Sequence, residues 1–227
     1  METALVLVGG LMARLVAFIL LFALFAMPVV AAIYAVQGVV ALRRRVTGTV
    51  DAGGARWKPG IAYTSAHTWV KSLWGRTVKV GLDDVARRLV SGVSSLTLPP
   101  VGSKLRRGDL LVAARCGERI VAIPSPVDGI VIERNRAVLS NPSLFEGDPY
   151  RAGWMMRVET DGKAADPGRH GAASKVWLRD ENMRLTHFLE SRLGMAAADG
   201  GVLTGPPSAL LSDEAWREAA ASFLTGA

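Results

Sequence analysis

At 227 residues, half of them hydrophobic and 21% charged, the chain has room for one sizeable domain plus extra segments. A single cysteine, Cys116, rules out an intrachain disulfide and fits a reducing compartment; with only three histidines beside it, no credible zinc or iron–sulfur constellation can be assembled. The net charge of +7 favours an anionic surface or an acidic partner without naming one.

The first element is apolar. From Ala4 to Leu42 the only charged residue is Arg14. As a helix, Leu15 to Leu42 would extend about 42 Å at about 1.5 Å per residue, enough for one tilted crossing of a bilayer, and two spans and a turn do not fit comfortably between Ala4 and Leu42. Pro28 lies mid-segment and predicts a kink or a weakened backbone bond. Arg14 can snorkel to one interface, and Gln37 lies near the other end. Ala31 and Ala35 have a small-xxx-small spacing that lets a partner helix approach. Arg43-Arg44-Arg45 follows the apolar run at once, whereas only Glu2 and Arg14 precede or begin it. The positive-inside bias then predicts a single-pass protein of a bacterial-type inner membrane with its C-terminal part in the cytoplasm. The other reading is a cleaved signal peptide, with Ala32-Ile33-Tyr34-Ala35 as the cleavage site. Such a peptide needs a basic start and an apolar core of about 7 to 15 residues, and this segment has neither. Residues 1–45 are therefore expected to be a transmembrane anchor with its basic flank.

Residues 46–59, with Gly48, Gly53 and Gly54, read as a linker. Residues 60–160 carry short strand signals separated by turns, as a small all-β domain requires. Thr68 to Lys71 and Thr77 to Val80 flank Trp74-Gly75 as a hairpin, and Asp83 to Leu89 predicts one short helix. Ser94 to Leu98 is a strand stopped by Pro99-Pro100. Leu110 to Ala114 and Arg119 to Ile123 flank Cys116-Gly117, where a glycine suits a tight turn. Val127 to Glu133, split by Asp128-Gly129, and Trp154 to Glu159 complete the strands. Residues 161–208 contain one helical stretch, near Leu178 to Met195, with Leu185, Phe188, Leu189 and Leu193 as its apolar stripe. In residues 209–227, Ser212 predicts an N-cap, Leu211 a staple against Trp216, and Trp216, Ala220, Phe223 and Leu224 an inward face.

Several of these segments resemble the H protein of the glycine cleavage system. The matching residues are Tyr63-Thr64, His67-Thr68-Trp69-Val70, Val80-Gly81 and Leu98-Pro99-Pro100-Val101-Gly102, then Ser125-Pro126-Val127-Asp128-Gly129, Asn135, Leu139, Pro142, Leu144 and Asp148-Pro149-Tyr150-Arg151-Ala152-Gly153-Trp154. Leu210 to Trp216, with Phe223-Leu224, looks like the terminal helix of that family, which makes 161–208 an insertion before it. After the apolar anchor, the resemblance implies a mainly β (α+β) fold: a lipoyl-type flattened β-barrel of the barrel-sandwich kind, with short helices and a C-terminal helical tail.

H proteins carry lipoate on a lysine at a hairpin tip, seven residues before the serine of the Ser-Pro-Val turn. Seven residues before Ser125 stands Glu118. A carboxylate cannot form an amide with lipoic acid, and neither can the guanidinium of Arg119. The expected cofactor is therefore none, with Glu118 at the lost lysine position and Cys116, Gly117 and Arg119 around it. Lys71, Lys79 and Lys104 do not precede the Ser-Pro-Val turn. Cys116 is the tempting substitute, because a positive neighbour such as Arg115 lowers a thiol pKa; a small residue in a turn needs no chemistry at all. His67 reads as part of the family pattern rather than as a base, and His170 and His187 lie outside any motif.

Between Gly60 and Thr160, 14 Lys/Arg stand against 9 Asp/Glu, scattered and without a row of stacking aromatics. This argues for an anionic membrane nearby and against nucleic acid. The reading is a non-enzymatic, membrane-anchored, non-lipoylated H-like domain that contacts the bilayer and partner subunits of a membrane complex as a scaffold or accessory. The alternatives are a carrier with an atypical attachment site and a membrane-fusion or efflux adaptor. An adaptor needs the domain on the far side of the membrane and coiled-coil heptads, and this chain shows neither.

Overall fold

The computed structural model describes residues 12, 14–19, 21–34, 36, 48–161, 168–194 and 205–226. The chain divides into two compact units, Met1–Val46 and Thr47–Ala227. In the first, helix α1 (Arg14–Tyr34) has a mean hydropathy of 2.8 and is long and apolar enough to cross a membrane. Its Phe18, Phe22 and Phe25 are exposed, which leaves an apolar surface that water disfavours. Arg43, Arg44 and Arg45, as well as Ala35 and Gln37, lie outside the described residues.

The second unit opens with a hairpin of β1 (Val50–Ala52) and β2 (Ala55–Trp57) across Gly53 and Gly54. This corrects the expectation of a linker through residue 59. The glycines that suggested flexibility supply a tight turn instead, and Ala52 and Ala55 are buried beside it. Six strands form the main antiparallel sheet: β3 (Ala62–Tyr63), β4 (Thr68–Ser72), β5 (Thr77–Leu82), β7 (Lys104–Leu105), β10 (Gly129–Arg134) and β11 (Trp154–Glu159), in the order β3-β4-β5-β11-β10-β7. The smaller sheet has the order β6-β8-β9, from β6 (Val93–Thr97), β8 (Leu110–Cys116) and β9 (Arg119–Pro124). Alternation sends Val78, Val80, Met156 and Val158 of the large sheet, and Leu111, Ala114 and Ile123 of the small one, into one core. Each large side chain fully buried this way contributes about 1.5–3 kcal/mol. Trp69 lies flat over Gly81, where any Cβ would come within 2.6 Å of the indole, and its Nε1 donates to the Leu82 carbonyl at 2.8 Å.

Many of the residues that carry the family resemblance are pins between loops. Asn135 caps α3 (Arg136–Ser140) through Oδ1, while its Nδ2 donates to the carbonyls of Ala152 and Trp154 at 2.8 and 2.7 Å. Asp148, which ends α4 (Ser143–Gly147), accepts from the amides of Tyr150 and Arg151, both at 3.0 Å. Tyr150 is buried and donates to the Arg56 carbonyl at 2.6 Å, so the β1–β2 hairpin is tied to this segment.

Helix α2 (Asp84–Leu89) is capped by Asp83, whose Oδ1 accepts from Val85 N and Ala86 N. Helix α5 runs Gly171–Leu193 and ends at Gly194 in the left-handed conformation, so it starts well before the expected Leu178. The reason is polar: Ser174 and Asn182 occupy buried stripe positions with Leu178, Leu185 and Leu189, which hides the apolar period. Both are satisfied, Ser174 by Trp57 Nε1 at 2.9 Å and Asn182 by donating to the Gly53 carbonyl at 2.8 Å. Arg88 of α2 also donates to Asn182. The described part of the insertion is thus stitched into the fold, and Arg169 just before α5 pairs with Tyr63 at the edge of the large sheet. After α6 (Pro207–Leu210), Ser212 caps α7 (Asp213–Leu224) by accepting from Ala215 N at 3.2 Å; Trp216, Phe223 and Leu224 face inward as expected, whereas Ala220 is half-buried and Ala219 takes the buried position.

Candidate functional site

The β8–β9 register places Cys116 opposite Arg119, so Gly117 and Glu118 make a two-residue turn. Gly117 has φ +63°, a conformation glycine adopts without strain, and it leads the turn as tight hairpins prefer. Glu118 is exposed, and its carboxylate has no hydrogen-bond or ion-pair partner among the described residues. The residues on either side of the turn, Cys116 and Arg119, are both committed to the fold.

Arg119 does not pair with Glu118 in solvent. Its guanidinium turns to the C-terminal segment, donating to the carbonyls of Ser208 at 2.8 Å and Leu211 at 2.9 Å, and pairing with Asp213 at 2.6 Å. It also lies over the Trp216 ring, 5.7 Å from its centre. The five donors of arginine suit this fork of carbonyls at the start of α7. Beside it, a groove of about 710 Å³ runs between β9 and α7, lined by Arg119, Ile120, Ala122, Trp216, Arg217 and Ala220.

Cys116 is 1% exposed and points inward, while Arg115 points out. Burial, helped by the Glu146 carboxylate, raises the thiol to about 11. The Sγ contacts the Val90 carbonyl at 3.6 Å. Strand alternation puts the Arg115 side chain on the opposite face, so it does not activate the thiol, and the reading of Cys116 as a residue without chemistry fits its burial.

A second polar cluster was not read from the sequence as a unit. His67 is fully buried, with Nδ1 2.8 Å from Asp83 Oδ2 and Trp177 of α5 stacked on its ring at 5.1 Å. Its Nε2 faces Glu181 Oε2 at 3.5 Å, too long and poorly aligned for a full hydrogen bond. Burial would lower the imidazole pKa, but the Asp83 carboxylate and then Glu181 outweigh it and raise it to about 9. The contact with His67 in turn holds Glu181 below the ordinary carboxylate range, with Arg184 beside it. The ring is sealed from solvent, so the cluster organises structure and offers no access for a substrate. The His67-Thr68-Trp69 segment was visible in sequence; Glu181 and Trp177 were not, because they arrive from a distant helix.

Residues 61–169 match the family model described as glycine cleavage H-protein. The chain is 33% identical over 110 residues to a probable glycine cleavage system H protein of Thermococcus gammatolerans, covering 48% of this chain and 81% of that protein. The chain belongs to the glycine cleavage H-protein family. A Mycobacterium avium glycine cleavage system H protein is likewise 33% identical over 107 residues, covering 47% of this chain and 81% of its own. A crystal structure of an H protein from Mycobacterium marinum superposes with a TM-score of 0.48 at 22% identity, covering 55% of this chain and 99% of that one.

The lipoyl group that the H-protein resemblance implies needs an amine at the hairpin tip, and the residues there do not fit it. Glu118 offers a carboxylate, Arg119 a guanidinium already engaged, and Cys116 a buried thiol. Lys71 lies in β4, Lys79 in β5 and Lys104 in β7, none of them at a turn tip. Among the described residues no His/Cys/Asp/Glu group has the arrangement to hold a metal ion.

Proposed function

We propose that the protein is a membrane-anchored, non-lipoylated H-protein homologue that works by contact, as a scaffold or accessory subunit of a membrane complex, and not as an acyl or aminomethyl carrier. The observation that carries this reading is Glu118 in the two-residue turn, with Arg119 drawn away to the carbonyls of Ser208 and Leu211. A carrier tip must present a mobile, nucleophilic amine to a ligase and then to its partner enzymes. This tip presents a carboxylate, and its neighbour is committed to the fold. Helix α1 supports the membrane half of the reading: an exposed apolar helix of this hydropathy is stable when lipid covers it. Arg43, Arg44 and Arg45 favour a cytoplasmic C-terminal unit.

The test is intact mass spectrometry of the full chain produced in a lipoylating host. The expected mass is that of the unmodified polypeptide. A stoichiometric lipoyl adduct on any lysine, Lys71, Lys79 and Lys104 included, refutes the non-carrier reading.

A further inference from the structure

The outward face of the six-stranded sheet carries a row of like charges. Lys71 of β4 is registered directly against Lys79 of β5, and Lys79 against Arg157 of β11. Like charges directly opposite one another destabilise a sheet, so this row is held against its own repulsion. Of these three cations, Arg157 alone has a close acidic partner among the described residues, Glu133 at 2.7 Å. Lys71 and Lys79 have no acidic side chain paired with them among the described residues. Lys79 lies over the Trp154 ring at 4.9 Å, and its pKa is lowered by burial first and then by Arg157 and Lys71. On the same face, Lys104 is registered with Ile130, which is exposed, as is the bulged Ile132. The β4–β5 hairpin ends this face in Trp74, 85% exposed; nearby Arg76 pairs with Glu159 at 3.5 Å, so among the described residues the free cations of the face are the lysines. A large indole held in water at the tip of a hairpin contributes little to the fold.

We propose that this face, with Trp74 at its rim, docks on the headgroups of anionic lipids, the lysine row meeting phosphate charge and the indole entering the interfacial layer. Three features favour a bilayer over an acidic protein as the occupant. Tryptophan suits the membrane–water interface, where an apolar ring and a polar N–H are both accommodated. Lysine, a compact cation on a flexible stem, suits a fluid layer of headgroups, whereas a fixed carboxylate partner favours the arginine fork. The same chain carries α1, and a tethered unit meets the bilayer at a high effective concentration. The inference rests on the membrane reading of α1, but its test separates the two.

All six tryptophans lie at or beyond Trp57 and none falls in α1 or its flanks, so tryptophan emission reports the folded unit alone. The full chain is reconstituted into nanodiscs of phosphatidylcholine, with or without phosphatidylglycerol, each made with brominated acyl chains that quench a nearby indole. Quenching is expected in the anionic discs, lost in the neutral discs and lost at high salt, where exposed charges are screened. It is also expected to be lost in Trp74→Phe and reduced in the double variant Lys71→Gln/Lys79→Gln, both at exposed or half-buried positions outside the core. Equal quenching in neutral and anionic discs, or undiminished quenching in Trp74→Phe, overturns the proposal. So does absence of quenching in the anionic discs. Retention of the full chain in the discs through alkaline extraction then shows that the anchor reading survives while the docking does not. Absence of quenching together with salt-sensitive retention on immobilised polyglutamate assigns the face to an acidic protein and equally overturns lipid docking.

Discussion

The Nδ1 of His67 lies 2.8 Å from Oδ2 of Asp83, and both side chains are completely buried. The other oxygen of that carboxylate caps α2, so one aspartate serves a helix end and a buried imidazole together. His67 adopts φ +54°, alone among the described non-glycine residues, and its carbonyl accepts from Asp83 N at 2.9 Å. Trp177 and Glu181 close the other side, with Arg184 on Glu181 and Arg169 over Trp177. The pair therefore joins the β3–β4 turn, α2 and α5.

A pH dependence follows from this arrangement. The pKa of His67 is raised from 6.5 to about 9 in the folded protein. A raised folded-state pKa gives stability that is fully present below pH 6.5 and lost as pH climbs through about 9. The lost contribution is at most roughly 3 kcal/mol. Thermal melts from pH 6 to 10 are expected to show a falling midpoint across that window, and His67→Gln is expected to remove this part of the slope. A wild-type midpoint that rises or stays flat across the window rules out a charged His67.

Arg119→Ala is expected to destabilise the C-terminal segment by about 1–3 kcal/mol, since the carbonyls of Ser208 and Leu211 lose their donor. The ion pair with Asp213 adds little, because that carboxylate is largely exposed. Arg119→Lys is expected to restore only part of the loss, as one ammonium cannot span both carbonyls and the Trp216 face. Hydrogen exchange of the first amides of α7 reads the effect. Unchanged protection in Arg119→Ala means the guanidinium is not what holds the helix.

Much of this fold is legible in the sequence, and the exceptions share a cause. The β4–β5, β8–β9 and β11 strands and the Ser212 cap follow from alternation and turn residues within a few positions of each other. What was not legible depends on contacts between distant segments. The β1–β2 hairpin reads as a linker because its strands are three residues each and pack through alanines. The first turns of α5 are hidden in the sequence because Ser174 and Asn182 break the apolar period, and their partners, Trp57 and Gly53, lie more than a hundred residues away. At the tip, Glu118 is a local fact of the sequence. The commitment of Arg119 to Ser208 and Leu211 is not, because it needs α6 and α7 to be in place.

The buried thiol of Cys116 is expected to be unreactive in the native protein. With its pKa raised to about 11, only roughly one thiol in a thousand is ionised at pH 8. Labelling by a disulfide reagent at that pH should be slow and should speed up on adding denaturant, in step with unfolding. Rapid stoichiometric labelling of the folded protein excludes the inward placement.

Glu118→Lys is expected to leave the fold intact, shifting stability by roughly 0.5 kcal/mol or less, because an exposed turn residue without partners has little to lose. Glu118→Ala is expected to behave alike in a thermal melt of the full chain in detergent. A loss of several kcal/mol in either variant makes Glu118 a structural partner, and its assignment to a former carrier position then fails.

The orientation of the chain turns on a charge asymmetry that belongs to the sequence alone. Arg43, Arg44 and Arg45 follow the apolar run, and Arg14 begins it with Glu2 upstream. Positively charged residues within a few positions of a span resist translocation, whereas acidic ones contribute little, so the triple arginine should hold the C-terminal unit in the cytoplasm. A fluorescent protein fused after Ala227 is expected to mature, and alkaline phosphatase fused at the same point is expected to stay inactive. Replacing all three arginines with glutamine should weaken this bias and yield a mixed population, because Arg14 then competes on the other side. Active alkaline phosphatase on the wild-type chain places the unit outside, and the cytoplasmic assignment is then wrong.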